Sequence, residues 1–244
     1  FAEANNQVSL LDSRFGEAGT FFRFFTQAPE LDPNTPNTGG ARAVSYQIIR
    51  HGLTSSSTSR PRYQLFRSDV STNETFKAGY NLHPSSTSYN QGSNGIRKPS
   101  NIINPVFDSP DGPSTDFSLA SNVIDFGIRA YLIEKNSEGT GNLKQIFPDV
   151  NSSTGGGNPP YEYTATSNIN YRISGKPSRL FAFPEVVDVM IRILTTEGAS
   201  AISAFEEGLI PTPEGFTAED YWWELAEKNS EVYIRRIRIF GSGI

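Results

Sequence analysis

The chain has 244 residues, with 21 Lys and Arg against 26 Asp and Glu, and a formal net charge of −5. It holds no Cys and only two His, which excludes disulfides, thiolate metal sites, a cysteine nucleophile and a multi-histidine metal centre within one chain. The acidic balance argues against sequence-independent nucleic-acid binding, which needs an excess of cations to displace counterions, so no nucleic-acid partner is expected.

In chain order, Val8, Leu11, Phe15, Ala18, Phe22 and Phe25 recur at spacings of three and four. This predicts an amphipathic helix over residues 1–28, with Leu10, Phe21 and Phe24 widening its apolar flank toward partner helices. Gly16 and Gly19 each cost about 1 kcal/mol relative to Ala in such a helix, so packing must hold it. Alternation then predicts strands around Val44–Ile48 and Arg62–Ser68. The segment 73–115 is rich in Ser, Asn, Gly and Pro without a period, and reads as an irregular insertion.

The second half is more regular. In Val123–Ile133, Ile124, Phe126, Ile128, Ala130 and Leu132 form one face of a strand, and Val187, Val189, Ile191 and Ile193 form another. Thr217 followed by Glu219 and Asp220 resembles a capping box opening a short helix near 217–229, which carries Trp222 and Trp223. A last strand, Val232–Phe240, interleaves Arg235, Arg236 and Arg238 with isoleucines, its pattern slipping at Arg235-Arg236 as at a bulge. Cross-strand carboxylates such as Asp125 or Asp188 are natural partners for these arginines; the alternative is that they guard a strand edge. The predicted architecture is a single α+β domain over 1–244. Its N-terminal amphipathic helix packs on a mainly antiparallel sheet with long loop insertions, and residues 122–244 form the main sheet.

Candidate chemistry is sparse. There is no nucleophile elbow, P-loop, dinucleotide fingerprint or HExxH pattern, and Gly155-Gly156-Gly157 is not followed by Lys. Asp108, Asp111 and Asp116 supply oxygen ligands for Ca²⁺ without EF-hand spacing. The acidic run Glu206, Glu207, Glu214, Glu219 and Asp220 reads as solvated surface rather than the carboxylate pair of a glycoside hydrolase. His51 and His83 read as loop or surface residues. Trp222 and Trp223 are candidates for stacking on a sugar ring. The site expectation is therefore no catalytic, cofactor-binding or metal-ligating residue, with calcium the one cation in view.

Four segments, in order, resemble the type IV pilin-like superfamily, specifically the J-type minor pseudopilins of type II secretion-like systems. They are Arg14–Arg23, Tyr46–Arg67 with Tyr63-Gln64-Leu65-Phe66-Arg67 inside it, Asn122–Tyr131, and Phe183–Ile191 with its Phe183-Pro184 entry. The resemblance implies a non-enzymatic structural subunit of a pseudopilus or type IV pilus-like secretion assembly, acting through subunit–subunit packing with other pilin-like or pseudopilin subunits. It also implies a periplasmic domain of an inner-membrane-anchored protein in the bacterial envelope. The family's leader and apolar membrane helix do not precede Phe1 here, so membrane contact is expected only through a missing N-terminal helix. A second expectation is a secreted or surface binding module, for carbohydrate, built on Trp222, Trp223, Tyr161 and Tyr163. A hydrolase using acidic residues is the third.

Overall fold

The structure, a computed structural model, describes residues 21–27, 40–51, 61–80, 82, 107–109, 112–113, 118–135, 139, 141–147, 165 and 182–239. Its elements in order are β1 (Phe21–Gln27), β2 (Ala41–His51), β3 (Arg62–Val70), α1 (Thr72–Ala78), β4 (Phe107–Ser109), β5 (Gly112–Pro113), β6 (Ser118–Ser121), β7 (Val123–Lys135), β8 (Gly141–Phe147), β9 (Val186–Leu194), α2 (Thr196–Glu206), α3 (Ala218–Lys228) and β10 (Ser230–Arg238). Two four-stranded sheets dominate, in the orders β1-β2-β3-β6 and β10-β9-β7-β8, and β4 and β5 pair as a small ribbon.

The predicted α+β fold with an N-terminal helix on a sheet is overturned. The described chain is mostly antiparallel strand. The part of the expected 1–28 helix that lies within it, Phe21–Gln27, is strand β1, paired with β2 from Phe21↔Gln47 to Gln27↔Ala41. Leu10 and the rest of that helix lie outside the described residues. The physical reason is local. Phe21-Phe22-Arg23-Phe24-Phe25 puts aromatics on both sides of an extended chain, which suits a pleated strand with cover on each face. The same run satisfies a helical period over a few residues, so periodicity alone does not separate the two.

Contacts divide the chain into two compact units. The first comprises the described residues of Thr20–Ile124 and Ile193–Glu231, the second those of Asp125–Arg192 and Val232–Ile244. In the first unit, β2 lies antiparallel between β1 and β3, with Val44 facing Phe24 on one side and Asp69 on the other. Ala43, Val44, Ile48, Leu65 and Phe66 are all buried. Phe22 and Phe24 share a face, as residues two apart on a strand do. Their rings are 5.0 Å apart, and Phe24 stacks on Tyr46 at 6.2 Å and 14°. Phe24 is thus committed to its own sheet.

Helix α1 falls inside the segment expected to be irregular. Thr75 anchors it: Ala43 N–H donates to Thr75 Oγ1 at 3.1 Å, and Thr75 Oγ1 donates to Val70 C=O at 3.2 Å. The Thr75 hydroxyl thus accepts from β2 and donates to the end of β3 at once, which ties the helix to the sheet through a satisfied buried group.

Helices α2 and α3 are both capped by threonine. Thr195 accepts from Gly198 N–H and Thr217 from Asp220 N–H, each at 3.1 Å, satisfying first-turn donors that have no intrahelical partner. Only the second cap, with its helix, is anticipated by sequence. Each helix buries one stripe, Gly198, Ala199 and Ile202 on α2 and Trp222, Trp223 and Ala226 on α3. The end of α3 closes on the start of α2, where Thr195 N–H donates to Asn229 C=O at 2.9 Å. A Cβ on Gly198 would lie 2.5 Å from that same oxygen and 2.6 Å from Asn229 Cβ. Gly198→Ala is therefore expected to destabilise by about 1–3 kcal/mol despite the better helix propensity of Ala. Urea denaturation checks this, and a neutral or stabilising result would contradict the close approach.

In the second sheet, Glu185 N–H donates to Tyr131 C=O and Leu194 N–H to Asn122 C=O, so β7 and β9 run in opposite directions. These strands correspond to the Asn122–Tyr131 and Phe183–Ile191 segments singled out in the sequence, and they are neighbours. Val123–Ile128 is buried at every position, including Asp125 at 0% exposure. The start of β7 is thus covered on both faces rather than alternating. Asn122, with φ 63°, makes the left-handed turn from β6 into β7, a conformation that Asn tolerates better than most residues.

Candidate functional site

Two polar clusters stand out among the described residues, one in each unit. In the first unit they converge on Glu206, the last residue of α2. Glu206 Oε1 accepts from Tyr63 Oη at 2.5 Å and from Trp222 Nε1 at 2.9 Å, and Oε2 lies 2.9 Å from Arg50 Nη2. Its side chain is only 9% exposed and that of Arg50 17%. Tyr63 and Trp222 also meet edge-to-face at 5.7 Å, an arrangement favoured by ring quadrupoles.

Each partner arrives from a different element: Arg50 from β2, Tyr63 from β3, Trp222 from α3. Local sequence explains the convergence. On α2, Ile202 and Glu206 are four apart, so the buried stripe of the helix ends on the carboxylate. Both of its oxygens are occupied, one by two neutral donors and the other by a guanidinium. A carboxylate so held is a clamp between sheet and helices, not a free base. Beside it, Pro61, Tyr63, Leu194, Ala199 and Ile202 border a recess of about 10 Å³, close to the space of one water.

The second cluster joins β9, β10 and β7. Arg236 donates to Asp188 through Nε and Nη2, both at 2.7 Å, and the guanidinium carbon lies 5.5 Å from the Tyr131 ring centroid. This is a bidentate ion pair with a cation–π contact. The hydrogen bond from Arg236 holds the Asp188 carboxyl below the usual carboxylate range against the opposing effect of burial, and Tyr131 adds to the lowering. Burial, with Asp188 nearby, pushes the Tyr131 hydroxyl up.

A carboxyl whose folded pKa is depressed contributes stability that is fully present above its unfolded value and lost as pH falls through the folded one. Asp188→Asn should therefore cost stability at neutral pH, and the gap to the wild type should begin to narrow only as pH falls below about 4 and shrink further toward the acid end. Urea midpoints of both proteins between pH 7 and pH 2.5 measure this, and a gap that stays constant to the acid end contradicts it.

The cluster lies at a sheet edge. Among the described residues β10 pairs only with β9. Asn229 C=O accepts from Thr195 N–H, and Ile239 N–H donates to Glu185 C=O. The two strands carry equal numbers of residues between these bonds, and Arg236 meets Asp188 between them. The bulge expected at Arg235-Arg236 is therefore not there, and β10 keeps register along its length. All its residues from Glu231 onward are exposed, among them Val232, Tyr233, Ile234 and Ile237.

The other expected site residues sort as follows. Trp222 and Trp223 are buried, at 2% and 4% exposure, and meet edge-to-face at 5.0 Å, so neither indole offers a face to a sugar in solution. Phe21 and Phe24 lie on strand β1 rather than on a helix flank, and Leu10 lies outside the described residues. Asp108 falls on β4, but its side chain, together with Asp111 and Asp116, lies outside the described residues. Among those described, no group of three or more His, Asp or Glu is placed to hold a metal ion. His51 ends β2, its side chain outside the described set, as is His83. Of the acidic run, Glu207, Glu214 and Asp220 are exposed, whereas Glu206 is partly buried and is the clamp that sequence reasoning missed. The sequence signal is partial: Thr195 as a cap, then Ala199, Ile202 and Glu206 at helical spacing put the carboxylate at the end of an apolar stripe, without the partners that hold it. No described helix is long and apolar enough to cross a membrane. No protein-family model matches this chain, and neither a curated protein nor a solved structure matches it.

Proposed function

We propose that the chain is a non-enzymatic structural subunit that works by packing against other protein chains, in a pseudopilus or type IV pilus-like secretion assembly of the bacterial envelope. The observation that carries the structural-subunit reading is β10, a sheet edge that presents Val232, Tyr233, Ile234 and Ile237 to solvent. Edge strands are normally blunted by charge, proline or a bulge, because their unpaired backbone recruits another strand. Here the edge keeps register and carries no Pro or Gly between Ser230 and Arg238, and its charges, Glu231, Arg235, Arg236 and Arg238, are of both signs, so they suit a complementary strand while repelling a like-charged one.

The narrower assignment to pilin-like partners rests on the resemblance of the Tyr63–Arg67, Asn122–Tyr131 and Phe183–Ile191 segments. Its contact surface is no longer an N-terminal helix flank, since Phe24 is spent within its own sheet. The polar clusters support a non-catalytic role, because each carboxylate is occupied by fixed donors.

The chain's lack of cysteine makes the test clean. Ile234→Cys, introduced into the full-length gene product in its own host and labelled with a thiol-specific photo-crosslinker, should yield adducts with another envelope chain. Mass spectrometry identifies the partner, and a pilin-like chain supports the narrower assignment. Absence of an adduct with any other gene product overturns the assembly reading.

A further inference from the structure

We infer that β10 pairs antiparallel with β10 of a second copy across a twofold axis at Tyr233, joining two four-stranded sheets into one of eight strands. This rests on the reading of the chain as a packing subunit and assigns the backbone edge of β10 to a second copy, so that other chains meet the exposed side-chain face on which Ile234 lies. The argument begins with the backbone. The bonds at Asn229 and Ile239 aim the odd-numbered residues of β10 toward β9. Alternation then leaves the N–H and C=O groups of Val232, Ile234 and Arg236 pointing out of the sheet. Among the described residues no strand pairs with that side.

Charge order selects the partner and the register. Glu231 and Arg235 lie on one face of the strand, two residues either side of Tyr233. In an antiparallel pair centred on Tyr233, Glu231 faces Arg235 of the second copy, and symmetry repeats the contact. Tyr233 faces its own counterpart, and on the opposite face Val232 meets Ile234 of the second copy. Opposite charges and aromatic or β-branched residues directly across a ladder are the favourable cross-strand pairs. Arg236, already held by Asp188 at 2.7 Å, meets only Ser230. A parallel in-register pairing would instead set Arg235 against Arg235. The contact is isologous, so it closes as a dimer instead of propagating into a fibre.

Five variants of the purified chain test this, with dimerisation read by sedimentation equilibrium and folding by circular dichroism. Glu231→Arg and Arg235→Glu each set like charges opposite one another twice, and each should weaken the dimer by about tenfold. The double exchange, Glu231→Arg with Arg235→Glu, should restore it. Tyr233→Cys supplies the chain's sole thiol at the axis, where directly opposed Cβ atoms come within disulfide reach. It should oxidise to a covalent dimer, while Leu143→Cys, on β8 at the other edge of the sheet, should not.

A wild-type chain that stays monomeric, a double exchange no better than the singles, or equal cross-linking at Leu143 and Tyr233 overturns the inference. These failures are separable from failure of the assembly reading. A monomer whose Ile234 still cross-links to another chain in cells removes self-pairing alone. A β10 dimer with no such adduct keeps this inference and removes the assembly.

Discussion

Glu206→Ala is expected to lower the unfolding free energy by about 3–5 kcal/mol, the cost of removing one partner from a buried ion pair. The carboxylate is 9% exposed and takes Arg50, Tyr63 and Trp222 at 2.9, 2.5 and 2.9 Å. Truncation strips the acceptor from all three donors at once, in a place water enters poorly. The penalty is thus mainly the desolvation of groups left behind. Glu206→Gln should cost less, because its amide oxygen still serves Tyr63 and Trp222, although the amide nitrogen now turned to Arg50 is a donor and no longer accepts from it. Both tryptophans of the chain lie in or beside this cluster, so their fluorescence reports its melting in urea directly. A loss below about 1 kcal/mol for the alanine variant, the scale of an exposed pair, would sink the clamp account.

Trp222→Ala should destabilise on the same scale, about 3–5 kcal/mol. The indole is 2% exposed and packs edge-to-face on both Tyr63 and Trp223, so its removal leaves a cavity lined by rigid rings that cannot collapse. Trp222→Phe keeps most of the apolar contact and deletes only the Nε1 donor, which places its cost between alanine and wild type. Because the indole is one of the donors on Glu206, the two alanine substitutions should be less than additive, with a coupling of about 1 kcal/mol or more in a double-mutant cycle. Circular dichroism through a urea series measures all three proteins. A Trp222→Ala midpoint equal to wild type, or fully additive effects, would contradict the packing. Any loss of ligand binding in this variant would report loss of structure, not of a stacking platform.

The legible parts of the fold are those where alternation runs for seven residues or more. Val123–Lys135 and Val186–Leu194 are strands because apolar side chains two apart can all reach one sheet face, and the helix at Ala218–Lys228 announces itself by Thr217 and Asp220. Where periodicity is short, reading fails. The aromatic run at Phe21–Phe25 satisfies a helical spacing and a pleated one alike, and pairing with β2 decides for the strand. Helix α1 is illegible because seven residues fall just short of two turns, and its stability comes from Thr75 closing on Ala43 and Val70 rather than from propensity.

The candidate sites divide the same way. The pairing of Arg236 with Asp188 is foreseeable, since arginines alternating with isoleucines on a strand need carboxylates opposite. Glu206 is not, because a carboxylate among other carboxylates reads as surface until Arg50, 156 positions earlier in the chain, is brought against it. The tryptophans mislead in the reverse sense. Adjacent indoles suggest a platform, and only the sheet packed over α3 makes them core.

By itself, then, the sequence determines the exclusions that follow from its counts: no thiol chemistry, no histidine metal centre and a net charge unsuited to coating nucleic acid. It also determines the strands whose alternation leaves one conformation to satisfy their side chains. Tertiary structure alone decides which strand becomes an edge, which carboxylate is buried and which aromatic is hidden, because those properties belong to pairs of residues distant in the chain. Strand β10 shows the division most plainly: its alternating arginines and isoleucines predict a strand, and only its place at the end of the sheet leaves its outer side with no strand neighbour among the described residues.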